Sequence, residues 1–329
     1  MKHYLLLGAG FSRNWGGWLA TEAFEYLLGC PEITSNSQLQ ALLWKHQSNG
    51  GFENALAEIQ SNFIREPTSN KNNLDGLQAA IKHMFNDMNR GFEHVQFEFS
   101  QFLHQSVGKF LTNFDAIFTL NQDLLLERHY IDTSIFMSSS RRWNCVDIPG
   151  MIPIHNPEAQ DQNSWFHRSW KPKSPNEFSV ASGSQPYFKL HGSSNWLEDN
   201  GGPMLIIGGN KTQEIARSWV LAKYHQFFSE YICRSDARLM VIGYGFRDSH
   251  INDVIMQAID RGMKMFVIAP EGGDIARQTN PTHTAAIRVG TNLEAAFEKG
   301  LIGASRRSLR DIFSSDTIEN EKVMRFINR

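Results

Sequence analysis

Short apolar runs alternate with amphipathic segments along most of the chain. Strands are predicted for residues 3–7, 115–120, 187–190, 204–207, 238–243, 264–269 and 285–289, and helices for residues 18–28, 214–233, 249–261, 292–300 and 307–328. Strands buried on both faces are continuous apolar runs, and helices connect them when the sheet is parallel. The pattern therefore predicts an α/β fold with a Rossmann-like, doubly wound, mostly parallel sheet.

Two long stretches interrupt this alternation. Residues 38–112 carry apolar side chains at helical spacing and predict an inserted helical subdomain, with a polar loop at 66–73. Residues 138–186 hold six of the eleven prolines, and they predict a loop-rich insertion that forms either a folded lid or an assembly surface. We predict one domain over residues 1–300 and a helical tail over 301–329, whose apolar stripe packs on the body or on a partner.

Composition excludes several functional classes. The 329 residues carry a net charge of −2, which gives no general electrostatic reason to bind nucleic acid or an anionic membrane. The three cysteines are far apart, so neither a zinc ribbon nor a disulfide framework is expected, and no metal is predicted. No apolar run approaches the roughly 20 residues of a membrane span. We expect a cytoplasmic protein.

Polar or glycine-rich motifs follow four of the predicted strands. They are Gly8-Ala9-Gly10-Phe11-Ser12, Asn121-Gln122-Asp123, His191-Gly192-Ser193 and Gly243-Tyr244-Gly245-Phe246-Arg247-Asp248. Ligands of open α/β sheets bind outside the carboxyl ends of the strands. We therefore expect the four motifs to meet around one ligand.

Each motif also has a purely structural interpretation. The first motif could be a tight turn, Asn121 a helix N-cap and His191 a satisfied core residue. The chemistry of the side chains favours function. The glycines and Ser12 suit a pyrophosphate, Asn121 can bond a ribose hydroxyl or position water, and Asp123 can orient nearby groups. A histidine is a suitable base near neutral pH.

The order of the four motifs resembles the sirtuin family, and in particular its compact bacterial branch. Gly8-Ala9-Gly10-Phe11-Ser12 resembles the family's Gly-Ala-Gly-x-Ser opening, Thr119-Leu120-Asn121-Gln122-Asp123 its Thr-Gln-Asn-Ile-Asp, and Leu190-His191-Gly192 its Leu-His-Gly. The resemblance implies a sirtuin-like NAD-binding catalytic domain in which Asn121 and His191 are catalytic, with His191 as general base. The residues implied to contact NAD are Gly8, Ala9, Gly10, Ser12, Asp123, Gly192, Ser193, Gly243, Gly245 and Asp248.

The chain departs from the deacylating sirtuins at three places. Only Cys233 follows His191, where those enzymes carry four zinc-binding cysteines. Asn14-Trp15-Gly16-Gly17-Trp18 stands where they have Gly-Ile-Pro-Asp-Phe-Arg, and Ala269-Pro270-Glu271 lacks their ribose-binding Asn. The remaining motifs resemble the sirtuin-like effectors of bacterial anti-phage defence, which hydrolyse NAD.

We therefore expect an NAD glycohydrolase that releases nicotinamide and ADP-ribose and depletes NAD during infection. This resemblance also implies a homo-oligomer and a separate defence partner, such as a HerA-like ATPase or a short Argonaute. Two alternatives stay open: an NAD-dependent protein deacylase, and a non-catalytic partner subunit that binds NAD or ADP-ribose.

Overall fold

The computed structural model describes residues 1–102, 105–131, 142–154, 168–208, 210–278 and 292–328. The strands in these ranges are β1 Lys2–Leu7, β2 Ala116–Thr119, β3 Cys145–Asp147, β4 Met151–Pro153, β5 Trp170–Pro172, β6 Ser184–Lys189, β7 Gly192–Leu197, β8 Pro203–Leu205, β9 Ala237–Ile242, β10 Lys264–Ile268 and β11 Leu301–Ser305. Seven of them form a parallel sheet in the order β11-β10-β9-β1-β2-β6-β3. The predicted Rossmann-like sheet is confirmed. The predicted strand 285–289 lies outside the described residues.

The order of the strands reverses beside β1. From β1 the chain first adds β2, β3 and β6 on one side, with β6 between β2 and β3, and later adds β9, β10 and β11 on the other. Strands β1 and β2 are buried throughout their central residues, because helices cover both faces of the sheet. Such a reversal leaves a crevice at the carboxyl ends of the strands.

Helices lie between and beside these strands along the chain. They are α1 Ala9–Ser12, α2 Ala20–Leu28, α3 Pro31–Thr34, α4 Ser37–His46, α5 Gly51–Arg65, α6 Pro67–Phe92, α7 Val107–Leu111, α8 Lys211–Arg217, α9 Trp219–Ile232, α10 Ser249–Asp260, α11 Ile275–Gln278, α12 Asn292–Gly300, α13 Leu309–Ser314 and α14 Thr317–Ile327, with a π-helical turn at Glu127–Ile131. None of the helices in the described ranges is long and apolar enough to cross a membrane.

The helical subdomain between β1 and β2 is present, with two corrections. The predicted loop at 66–73 is wrong, because α6 begins at Pro67. Proline suits the first turn of a helix, where its missing N–H costs nothing. The helix predicted from the spacing of apolar residues around Phe99 is also wrong. Residues 93–106 contain no α-helix in their described part, and Phe97 and Phe99 instead stack on Trp15.

The C-terminal segment is less helical than predicted. Residues 301–329 begin with β11, an edge strand of the main sheet that the sequence did not predict. Helices α13 and α14 follow it. Their apolar stripe is buried within the chain, with Phe313 1% and Val323 0% exposed. This stripe packs on the body of the same chain.

A small second sheet occupies part of the 138–186 insertion and the segment after β6. Its order is β4-β5-β7-β8. The chain turns directly from β6 into β7, and only Leu190 and His191 separate the two strands. Residues 138–141 and 155–167 of the insertion lie outside the described residues.

Candidate functional site

All four motifs lie at one edge of the main sheet. Leu7 pairs with Thr119 on one side and with Ile242 on the other, so Gly8 and Gly243 leave the sheet side by side. Thr119 also pairs with Lys189. Asn121 and His191 each stand two residues beyond that pair, past the ends of β2 and β6, two strands that lie about 4.8 Å apart. The sheet therefore places the two predicted catalytic residues at the same edge, beyond the ends of neighbouring strands.

At Gly8, Gly10 and Gly243 the backbones of two loops pack directly against each other, and we call this contact the glycine junction. The N–H of Gly8 donates to the Ile242 carbonyl at 3.0 Å, and the N–H of Gly10 donates to the Gly243 carbonyl at 2.9 Å. A Cβ on Gly8 would lie 2.6 Å from the Gly243 oxygen. Glycine is thus required here by the approach of two loops, and both N–H groups are used inside the protein. Ala9 and Gly245 are exposed beside this junction.

Asn121 is buried and only half satisfied. Its Nδ2 donates to Ser12 Oγ at 3.0 Å, but its Oδ1 is buried and has no hydrogen-bond partner. The side chain is 8% exposed. Unsatisfied buried acceptors cost about 1–3 kcal/mol and are uncommon in folded proteins. Asn121 is not the helix N-cap of the structural interpretation, because Asp123 Oδ1 accepts the N–H of Leu125 at 3.1 Å instead.

Gln122 ties the second motif to the third. Its Nε2 donates to the His191 carbonyl at 3.2 Å, and its carbonyl accepts the N–H of Ser194 at 2.9 Å. In the third motif, Gly192 has φ 72, and a Cβ there would lie 2.1 Å from the Met204 oxygen. Ser193 is fully buried and its Oγ donates to Asn195 Oδ1 at 2.9 Å. Both residues therefore shape the turn from β6 into β7.

A buried ion pair lies under Asp123. Lys189 Nζ contacts Glu127 Oε1 at 2.6 Å, and their side chains are 0% and 1% exposed. The same ammonium donates to the Asp123 carbonyl at 2.5 Å. Burial raises the pKa values of Asp123 and Glu127, while Lys189 opposes both shifts. Sequence reasoning missed this pair, although a lysine that ends the apolar run Tyr187-Phe188 was a usable signal.

Three histidines meet at His191. His191 Nε2 lies 3.2 Å from His250 Nε2, and the ring centroids of His191 and His225 are 6.3 Å apart. Burial lowers the pKa of His191 well below its ordinary value, although the Asp248 carboxylate opposes the shift. Burial also lowers the pKa of His225 to about 4 and that of His250. His225 and His250 lie on α9 and α10, and sequence reasoning did not single them out.

The carboxylate of Asp248 forms an ion pair with a lysine of the same chain. Lys211 Nζ bridges Asp248 Oδ1 and Glu53 Oε2, each at 2.8 Å. Burial raises the pKa of Asp248, but His191 and Lys211 outweigh it and the net pKa is lowered. Asp248, predicted to contact NAD, is thus an ionised group next to the histidines. Its position suits it to orient them.

The fourth motif contains an unusual backbone conformation. Phe246 has φ 52, in the left-handed region that favours glycine. Such a conformation costs on the order of 1–3 kcal/mol and persists only where packing enforces it. The ring of Phe246 is buried against Tyr244 and Phe297, at centroid distances of 4.8 and 5.0 Å.

A cavity of about 810 Å³ lies between the second and third motifs and the helical subdomain. Its lining includes Leu124, Ser194 and Asn89 but neither Asn121 nor His191. Asn89 joins the two motifs, because its Oδ1 accepts the N–H of Leu124 and its Nδ2 donates to Ser194 Oγ. The groups predicted to be catalytic are nearly closed to solvent, so a ligand that reaches them must open the surface above them.

The cysteines form no metal site of the kind that deacylating sirtuins carry. Cys30 is buried, Cys145 is exposed and Cys233 is half-buried, and all three are free thiols that lie far apart in sequence. Zinc held by four thiolates does not fit this chain.

Comparison with known proteins identifies a family. The model of the SIR2-like domain matches residues 115–289. The chain is similar to a solved Sir2 homologue in complex with NAD, with 14% identity over 99% of this chain and 91% of that chain and a TM-score of 0.41. It is also similar to a chain solved to study the mechanism and regulation of Sir2 enzymes, with 14% identity, 98% and 94% coverage and a TM-score of 0.37. No curated protein matches it. Because both TM-scores lie below 0.5, these two similarities identify no substrate.

Proposed function

Since the chain belongs to the SIR2-like domain family, whose model matches more than half of its residues, we propose that it is an NAD glycohydrolase. It cleaves the bond between nicotinamide and ribose and gives nicotinamide and ADP-ribose. The observation that carries the proposal is the buried, unpartnered Oδ1 of Asn121, at the same edge of the sheet as His191.

An acceptor of this kind suits a ribose. A ribose hydroxyl donates one hydrogen bond, which Asn121 Oδ1 lacks. Ser12 Oγ already holds the Nδ2 end of the same amide, so the Oδ1 end has a fixed orientation. Ala9 and Gly245 are exposed beside the glycine junction and leave room for the adenosine half of the dinucleotide.

The reaction needs only water and a base. Water attacks C1′ of the nicotinamide ribose while the C1′–N bond breaks, and the bonding electron pair returns to the pyridinium ring. Nicotinamide therefore leaves as a neutral molecule, and the transition state resembles an oxocarbenium ion. The attacking water loses one proton, which His191 accepts and releases to solvent.

The surroundings of His191 suit that role. Burial keeps its imidazole uncharged at neutral pH, so a ring nitrogen is free to accept a proton. His250 lies 3.2 Å away and is more exposed, which provides a route for the proton to water. The Asp248 carboxylate next to them stabilises the imidazolium that forms.

The test compares variants beyond the carboxyl ends of β2 and β6 with a control variant before β2. His191→Ala should lower nicotinamide release by about 10²–10⁴-fold, the usual effect of losing a general base. Asn121→Ala should also abolish turnover and weaken NAD binding, because its amide bonds the ribose. The matched control is Asn113→Ala, an amide at the amino end of β2 that bonds the Lys109 and Phe110 carbonyls. Protein is incubated with NAD and no acyl peptide, and nicotinamide is measured by chromatography alongside melting temperature and NAD affinity.

Three outcomes would contradict the proposal. Full NAD turnover by stably folded His191→Ala protein would remove His191 from catalysis. NAD binding without nicotinamide release by any form of the protein would favour the non-catalytic subunit. Release that requires an acyl peptide would favour the deacylase, although only Cys233 follows His191 in place of that enzyme's zinc cysteines.

We propose further that the enzyme acts in the cytoplasm in anti-phage defence through NAD depletion, as a homo-oligomer controlled by a separate partner. An uncontrolled NAD hydrolase would harm its own cell, so its activity must be controlled. Asn121 and His191 are only 8% and 4% exposed, and a site this nearly closed agrees with activation by assembly. Light scattering should detect an oligomer. A monomer that hydrolyses NAD at full rate without any partner would contradict this.

A further inference from the structure

The cluster of His191, His225 and His250 has the geometry of a metal site. Each residue offers one ring nitrogen, and the three nitrogens lie within 4.8 Å of one another. A tetrahedral zinc ion with Zn–N distances near 2.0–2.1 Å places its ligand nitrogens about 3.3 Å apart. The Nε2 atoms of His191 and His250 are already 3.2 Å apart. The ligand nitrogen of His225 lies within 4.8 Å of those of the other two histidines, so a movement on the order of 1 Å completes the tetrahedral spacing.

Contacts around the cluster prepare the rings for a metal. His225 Nε2 lies 2.9 Å from the Leu190 carbonyl, which can only accept, so Nε2 carries the hydrogen and Nδ1 carries the lone pair. Metal-bound histidines almost always donate their other ring nitrogen to a carbonyl or carboxylate in this way. The strand end at Leu190 thus fixes the tautomer of His225.

Charges near the cluster partly compensate the charge of a divalent cation. The Asp248 carboxylate interacts electrostatically with all three imidazoles. Lys211 is the nearby cation, but it bridges Asp248 to the second carboxylate of Glu53. Two carboxylates and one ammonium leave one net negative charge beside the three neutral ligands.

We propose that His191, His225 and His250 together bind one divalent transition-metal ion of the zinc class. Imidazole nitrogen suits Zn²⁺, Co²⁺ and Ni²⁺, whereas Mg²⁺ and Ca²⁺ require oxygen ligands. His225 and His250 are partly exposed and give the ion a path to the buried His191. Three protein ligands leave the fourth tetrahedral position open.

A consequence follows for the enzyme, and it rests on the proposed NAD hydrolysis. An ion bound to His191 Nε2 occupies the lone pair that accepts the proton from water. Metal binding and base catalysis therefore exclude each other, so Zn²⁺ inhibits nicotinamide release and a chelator restores it.

The binding test uses the full chain, untagged and freed of metal by a chelator. Co²⁺ is titrated while its visible absorption is recorded, because tetrahedral cobalt absorbs far more strongly than hydrated cobalt; Zn²⁺ is then added to displace it. We expect one ion per chain. His225→Ala and His250→Ala should each weaken binding by more than about 100-fold, beyond the usual effect of an outer-shell change. The matched control is His83→Ala, because His83 is 55% exposed and bonds only Glu32 among the contacts described.

Wild-type protein that shows no tetrahedral cobalt spectrum overturns the proposal without any variant being needed. Equal cobalt affinity in wild type and folded His225→Ala also overturns it. Nicotinamide release is measured separately: His225→Ala should still hydrolyse NAD but lose its inhibition by Zn²⁺. Cobalt binding without any NAD hydrolysis would refute the proposed function and leave the metal site standing, so the two failures are distinguishable.

Discussion

The buried pair of Lys189 and Glu127 allows a sharp test of the fold beneath the site. In Lys189→Met, a side chain of similar length loses its ammonium, and Glu127 keeps its carboxylate in a position that is 1% exposed. The Asp123 carbonyl also loses its 2.5 Å donor. Removing one partner of a buried pair leaves an uncompensated charge and typically costs 3–5 kcal/mol. We expect the free energy of unfolding to fall by about 4 kcal/mol at pH 8.

The penalty should depend on pH in a known direction. Burial raises the pKa of Glu127 even with Lys189 in place, and removing the ammonium raises it further. The folded variant then binds a proton that the unfolded chain releases above about pH 4.3. Its stability therefore falls as pH rises from 5 to 8, and the penalty should be at least about 1 kcal/mol smaller at pH 5. The histidines titrate in both proteins, so the difference between wild type and variant reports the two buried carboxyl groups whose raised pKa Lys189 opposes, Glu127 and Asp123.

Urea unfolding at both pH values measures this. The double variant Lys189→Met/Glu127→Gln removes both charges and should recover at least about half of the loss. The matched control is Lys322→Met, because Lys322 pairs with Glu319 at 40% exposure and should change stability by less than about 0.5 kcal/mol. A Lys189→Met penalty below 1 kcal/mol, or one equal at pH 5 and pH 8, would refute this reasoning.

Two further predictions concern the fourth motif. Gly243→Ala should cost at least about 2 kcal/mol of unfolding free energy, because the new Cβ at φ 66 would lie 2.2 Å from the backbone nitrogen of Phe11. The control Gly262→Ala, at φ 103 with nothing within 4 Å, should cost only about 1 kcal/mol. Equal losses in the two variants would contradict the close approach of the loops at Gly243. Phe246→Gly should be more stable than Phe246→Ala by about 1 kcal/mol, since both variants lose the ring but only glycine suits φ 52. A higher melting temperature for the alanine variant than for the glycine variant would show that the left-handed conformation is absent.

The sheet and the meeting of the four motifs were predictable from sequence. Buried parallel strands such as β1 and β9 end in unbroken apolar runs, at residues 4–7 and 239–242, so their carboxyl ends are visible in the sequence. Parallel strands share one direction, and this places residues such as Asn121 and His191 at the same edge whatever their separation along the chain.

Other features depend on packing that the sequence does not display. Strand β11 contains Gly303 and Ala304 and is half exposed at the sheet edge, so it lacks the apolar run of a central strand. His225 and His250 are single histidines in helices, and only the crossing of α9 and α10 over the sheet edge brings them to His191.

For the glycines of the first and fourth motifs, the sequence alone does not show why glycine is required. A glycine that admits a phosphate and a glycine that admits another backbone look the same in sequence, because both lack a Cβ. The structure gives Gly8 and Gly243 the second reason, through the contact between their two loops. Their predicted contact with NAD stays a prediction.

The central place of β1 has a consequence for synthesis of the protein. Leu7 pairs with Thr119 and Ile242, so the first strand of the sheet gains its second neighbour only after about 235 further residues have been made. At roughly 5–20 residues per second, this takes about 12–47 s on the ribosome. Helices α4, α5 and α6 contact one another and lie close in sequence, so they can fold during that interval. We expect the edge of β1 that pairs with β9 to stay unpaired meanwhile, even after β2 has joined the other edge, and a chaperone that shields this edge should assist folding.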